Sequence, residues 1–260
     1  MESALHIHSV IDLRDPIVVI GYGGWSDGGE SATTAVRYLL GELTIDRLAH
    51  IDAEEFLDFT VARPHVRLRD GYSREIVWPN HEFFAARMPE QERDLVIGLG
   101  IEPHLRWKSY SGLVADLIGQ VGARTVILLG AYLADVIYSQ PIQVQGFTND
   151  TELGAQLGFG PSGYEGPTGI VGVLGEHLRR RGIATASLWA SLPHYISITP
   201  NPRGSLALLQ KLAEVTGLRL DLSSLSESAA EFDERVSDLI GSDPQLSAYV
   251  RELKKRAFSQ

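Results

Sequence analysis

Gly24-Trp25-Ser26-Asp27-Gly28 puts a serine between two glycines. It follows the apolar run Ile17-Val18-Val19-Ile20 and precedes an amphipathic stretch. A strand, a glycine turn and a helix start gather several backbone N–H groups on one small surface, with the helix dipole behind them. Three chemistries use such a turn. A dinucleotide fingerprint needs Gly-x-Gly-x-x-Gly, but after Gly21 and Gly23 the third position is Ser26, and only Asp52 stands near the end of a second strand. A P-loop needs a Gly-Lys-Ser/Thr ending, which is missing. A nucleophile elbow needs Gly-x-Ser-x-Gly, which residues 24–28 satisfy, with Asp135 and His177 or His194 downstream as partners. Two features weigh against that elbow. It normally follows several strands, whereas Ser26 follows the first. Asp27 also has a structural use as a helix cap, with Glu30 three residues on completing a capping box.

Four more segments carry more than connectors need: Gly100 to Trp107, Tyr132 to Asp135, Gly163 to Gly169, and Trp189 to Tyr195. In an open α/β sheet, loops beyond the strands' carboxyl ends gather along one edge. Convergence there would build a small-molecule cleft from Gly23, Gly24, Trp25, Ser26, Asp27, Glu102, Arg106, Trp107, Tyr164, Glu165 and Tyr195. Asp27 and Glu165 are its candidate acid–base or hydroxyl-binding groups and His194 its candidate proton carrier. The competing reading is that glycine and proline shape these turns while the aromatics fill the rim of the core. The residues alone leave both open. The eight histidines show no close ligand spacing and there is no cysteine, so neither a metal nor a cofactor is expected.

The elements that must position these groups alternate along the chain. Ala32, Ala35, Val36, Leu39 and Leu40 have helical spacing. Leu48 to Ile51 reads as a strand, followed by hairpin-like segments at Phe56–Ala62, Val66–Arg69 and Glu75–Trp78 with Asp70-Gly71 as a turn. Asp94–Gly100 and Thr125–Gly130 are continuous apolar runs, the mark of buried strands. Ile142–Phe147 and Thr185–Ala190 read as further strands. Helices are expected over Ser109–Val121, Pro167–Arg181 and from Asn201-Pro202 through Ala213. After Leu220 the character changes. Ser223 to Ser228 reads as a polar hinge, and two amphipathic helices divided by Ser242-Asp243-Pro244 form a helical hairpin. The expected division is an α/β domain over 1–220 and a hairpin over 221–260.

With 23 Lys and Arg against 33 Asp and Glu, the net charge is -10, which speaks against nonspecific binding to nucleic acid or anionic lipid. Residues 1–8 lack the basic start and apolar core of a signal peptide, and no apolar run is long enough to span a bilayer. The absence of cysteine suits a reducing cytoplasm.

Read together, Gly21 to Ala32, Glu102-Pro103 through Trp107, Gly130-Ala131, Tyr164 to Gly169, Ser187 to Ala190, Pro193-His194-Tyr195 and Pro200-Asn201-Pro202 resemble the PAC2 family, the proteasome assembly chaperone 2-like proteins of archaea and actinobacteria. The likeness runs from about Ile17 to Leu212, and the tail hairpin is similar to that of actinobacterial members. The resemblance implies a three-layer α/β/α fold with a phosphorylase- or hydrolase-like sheet. It also implies homo-oligomers, a trimer among them, and a non-catalytic, assembly-chaperone-like role with a proteasome-related protein partner. One departure is Ile137-Tyr138-Ser139-Gln140-Pro141, where the family pattern has Pro-His-Thr-Arg before the proline. The alternative is an enzyme or sensor of nucleoside phosphorylase or hydrolase type using the strand-end cleft. An enzyme should show a concave pocket holding the named side chains, and a binding module an exposed apolar patch.

Overall fold

The computed structural model describes residues 3–148, 150–160 and 163–258, so Met1 and Glu2 of the N-terminal reading lie outside it. Its strands are β1 (Leu5–Ile7), β2 (Ile17–Gly23), β3 (Asp46–Ile51), β4 (His65–Leu68), β5 (Arg74–Val77), β6 (His81–Ala86), β7 (Leu95–Ile101), β8 (Thr125–Ala134), β9 (Val144–Thr148) and β10 (Ala184–Pro193). Its helices are α1 (Ser31–Glu42), α2 (Trp107–Gln120), α3 (Thr151–Leu157), α4 (Ile170–Arg180), α5 (Pro202–Thr216), α6 (Ser223–Ser242) and α7 (Pro244–Phe258).

Eight strands form one mixed sheet in the order β1-β3-β6-β7-β2-β8-β10-β9. The four central strands, β7, β2, β8 and β10, are mutually parallel, and antiparallel strands extend both flanks. The central strands are the continuous apolar runs, because a strand covered on both faces has no side to give to water. Val19, Ile97, Ile127 and Leu188 point to one face, where α1 and α5 lie. Val18, Val96, Val126 and Leu128 point to the other, under α2 and α4. Helices on both faces make the three-layer α/β/α architecture.

Several elements differ from the sequence expectation. Phe56 to Ala62 is a series of turns, with Phe56 buried as an anchor. The N-terminal segment supplies an edge strand, where His6 lies opposite His50 in register and His8 bonds His50 at 2.8 Å. Strand β6 and helix α3 had no clear pattern. Helix α4 begins at Ile170, not Pro167, because Gly169 keeps extended backbone. Tyr132 to Ala134 and Trp189 to Pro193 are the ends of long strands, not loops. Ser223 to Ser228 is the first part of α6, not a hinge. The capping box does not form. A 3-10 turn over Gly28–Glu30 intervenes, Glu30 sits at φ 52°, and Asp27 reaches past it to the amides of α1.

The C-terminal hairpin folds onto the rest of the chain. Helix α6 lies along α5, tied by an Arg203–Asp233 ion pair at 3.0 Å. Phe232, Val236, Ile240 and Val250 form a small third core with Ile196, flanked by Tyr138, Tyr195, Ile198 and Leu246. The tail therefore caps the loops that follow β8 and β10.

Candidate functional site

The carboxyl ends of the parallel strands bring one group of the named residues together. The turn after β2 begins at Gly23 and Gly24, the latter at φ +127°, a conformation glycine adopts without strain. Glu102, just past β7, bridges two elements: Oε1 accepts from the Ile170 N–H at 2.7 Å and Oε2 from the Trp25 N–H at 3.3 Å. A carboxylate at the first amide of a helix is held by both hydrogen bond and dipole. Gly169 is the meeting point. A methyl group there would lie 2.6 Å from Glu102 Oε1, 2.8 Å from Ser26 Oγ and 3.0 Å from Trp25 Cε3.

Ser26 is 1% exposed and its hydroxyl has no hydrogen-bond partner in the structure. Asp135 and His194 do pair, at 3.2 Å, but with each other and at the ends of β8 and β10. Among the described residues no histidine bonds Ser26 Oγ, so a serine–histidine–aspartate relay is not assembled. Asp27 is likewise engaged: Oδ1 accepts from Ala32 N–H at 2.7 Å and Thr33 N–H at 3.2 Å, and Oδ2 from the Thr33 hydroxyl at 2.5 Å. Burial raises its pKa, against the pull of those hydrogen bonds. The carboxylate fastens the start of α1, and its backbone bridges to Ala131 of β8.

The other candidates lie in three further settings. Arg106, at φ 55°, pairs with Glu55, and the Trp107 indole donates to the Pro103 carbonyl. Tyr164 is exposed on the approach to α4, where its hydroxyl donates to the Pro167 carbonyl at 2.8 Å, and Glu165 beside it is exposed. His194 and Tyr195 belong to the cluster under α7: the Tyr249 hydroxyl donates to Asp135 at 3.3 Å and stands 3.5 Å from His194 Nε2. The Tyr195 hydroxyl donates to Val136 O and accepts from the Tyr138 N–H. Burial raises the Tyr195 pKa.

Two cavities among the described residues lie apart from these groups. One of about 40 Å³ lies beneath Val136–Tyr138 and Gln140–Gln143, with room for a few waters only. An open groove runs between Pro89–Arg93 and Thr216–Arg219. Neither is lined by Trp25, Asp27, Glu102, Glu165 or His194. Among the described residues no group of three His, Asp or Glu is placed to hold a metal ion.

The sequence reading assigns Trp25 and Tyr164 to a cleft, or else to the core rim, and does not expect an exposed apolar edge here. Trp25 is 61% exposed and Tyr164 66%, and Leu105, Tyr132 and Leu133 are exposed with them at the ends of β7 and β8. No local signal marked it: β8 runs through Ala134 and outlasts its register with β2, which ends at Leu129, a difference only the strand pairing shows. A buried polar cluster was also missed. Tyr110 donates to Tyr22 at 3.0 Å, both fully buried, and burial raises both phenol pKa values. His81 leans on Tyr110 and bonds the Ile101 carbonyl through Nε2. A carbonyl only accepts, so Nε2 carries the proton and the buried Nδ1 is left without a partner. Burial pulls this imidazole from 6.5 down to about 4.

The three-layer sheet and its glycine-cornered edge agree with what comparison finds. A family model described as the PAC2 family matches residues 22–240. A PAC2 family protein of Streptomyces avermitilis is 39% identical, with a TM-score of 0.86 over 91% of this chain and 100% of that one. A proteasome-assembly chaperone homologue of Mycobacterium tuberculosis is 34% identical, with a TM-score of 0.82 over 90% of this chain and 99% of that one. PbaB of Pyrococcus furiosus, an archaeal proteasome activator, shares the fold at 22% identity and a TM-score of 0.70, over 90% of this chain and 97% of that one. No curated protein matches the sequence. This chain belongs to the PAC2 family.

Proposed function

We propose that this chain is a non-catalytic, protein-binding assembly factor. Its working surface is the apolar rim of Trp25, Leu105, Tyr132, Leu133 and Tyr164. The observation that carries the reading is this exposed edge, beside carboxylates already occupied by the protein's own backbone. Large exposed aromatics gathered at one edge favour a protein partner over a metabolite, which needs a concave site. The names of the mycobacterial and archaeal relatives support a proteasome-related partner. In this reading the protein works in the cytoplasm as a homo-oligomer. Residues 1–220 supply the rim, and 221–260 brace the loops behind it.

The test is a binding titration of the purified chain against purified proteasome subunits and assembled proteasome. The wild type forms a complex, and Trp25→Asp combined with Tyr164→Asp weakens it by about tenfold or more. Equal binding by the variant, or no complex with the wild type, overturns the reading.

A further inference from the structure

Three of the eight histidines meet at one edge of the large sheet. His6 and His8 share a face of β1, and the antiparallel register sets His50 of β3 opposite His6 on that face. The rings lie nearly parallel, with the His6 and His50 centroids 4.7 Å apart and those of His8 and His50 4.9 Å apart. His8 Nε2 and His50 Nδ1 face each other at 2.8 Å. A hydrogen bond between two imidazole nitrogens needs a bare lone pair on one of them, so at least one ring is neutral. His50 is half-buried and His8 is exposed, which leaves the pair open to an ion from solvent.

Two imidazole nitrogens this close suit a borderline divalent ion such as zinc, nickel or copper, and not magnesium or calcium, which take oxygen donors. A tetrahedral ion at about 2.1 Å from each nitrogen sets them roughly 3.4 Å apart, so the rings part by only about 0.6 Å to admit it. The His6 ring stacks on His50 and holds its plane. Glu82, opposite His50 on β6, has both oxygens on the Arg47 guanidinium at 2.9 Å and is not free to be a ligand. We infer that His8 and His50 hold one zinc, nickel or copper ion, with water completing its coordination, and that the ion clamps β1 to the sheet. That strand has three residues and a single neighbour, β3, so an ion held by both strands crosses its one joint. Its binding free energy then adds to the attachment of the strand. The two ligands lie 42 residues apart, so no short spacing along the chain announces them.

This inference uses none of the rim residues, so its failure is separate from that of the rim reading. The experiment titrates Zn2+ into the full chain, free of any affinity tag and stripped with a chelator, by calorimetry and by NMR of the imidazole signals. His8→Asn, His50→Asn and the control His65→Asn, on the exposed strand β4, are run beside the wild type, and far-UV circular dichroism checks that each is folded. The wild type takes up one ion per chain at micromolar Zn2+, and the His8 and His50 signals shift together. Either His8→Asn or His50→Asn weakens binding by about tenfold or more, and His65→Asn binds as the wild type does. Hydrogen exchange reads the clamp at the His8 amide, which donates to the Leu48 carbonyl at 2.8 Å. Zn2+ slows that exchange in the wild type and not in His8→Asn. A wild type that takes up no Zn2+ at micromolar concentration, or binding unchanged in His8→Asn, overturns the site, and bound Zn2+ that leaves the exchange unchanged overturns the clamp.

Discussion

Glu102 and Asp27 show how little a residue type says about its use. Both are acids beside a glycine turn, where an active site would want them. Both instead accept from backbone amides that a helix start leaves unpaired, Glu102 at α4 and Asp27 at α1. His81 makes the complementary point, because nothing in its sequence neighbourhood marks it as buried and neutral. Its pKa is depressed in the folded chain, so the unfolded chain takes up a proton first as the pH falls. Stability is therefore whole above about pH 6.5 and declines as the pH drops toward about 4, with a loss of about 3 kcal/mol attributable to this ring. Urea denaturation across that window should show the decline, and His81→Gln should flatten it. An unchanged slope in the variant would assign the acid sensitivity elsewhere.

At the scale of elements, β7 and β6 are fitted to each other through absent side chains. Gly98 and Gly100 alternate on the face that meets Phe83 and His81: a methyl on Gly98 would sit 2.9 Å from the Phe83 ring, and one on Gly100 only 2.2 Å from His81 Cδ2. Gly100→Ala should therefore cost about 1–3 kcal/mol through overpacking. In a His81→Ala background the same change should cost much less, which a double-mutant cycle reads directly. Equal costs in both backgrounds would mean that the glycine serves the backbone and not the packing. The apolar run of β7 was plain in the sequence, as were β2, β8, α5 and the tail helices, because each is long and keeps one period. β6 was not, since His81-Glu82-Phe83-Phe84 follows no clean alternation and its place beside β7 comes from a long-range pairing. The end of β8 was misread for a related reason: Tyr132 to Ala134 looks like a polar-aromatic loop until β10 is laid alongside it.

For the whole molecule, the question is whether the tail is a separate body or part of the main fold. Phe232 is 2% exposed in a core whose other members come from the loops after β8 and β10 as well as from α6 and α7. Phe232→Ala should cost about 3–5 kcal/mol and leave a single unfolding transition in calorimetry. Two separated transitions would mean that the hairpin unfolds independently of the body. The same packing explains why His194 and Tyr195 do not stand with Trp25. They are held under α7 by Tyr249, while Trp25 is drawn to Glu102 and Gly169 at the start of α4.

Local pattern determined the layered α/β class and the strand–turn–helix opening, since periodicity, glycine and proline act over a few neighbours. Tertiary structure alone decided which groups meet. Amides at helix starts engage Asp27 and Glu102, Ser26 and His81 are buried, and Trp25 and Tyr164 stand in water. These outcomes depend on which distant backbone arrives within about 3 Å, and no local spacing encodes that.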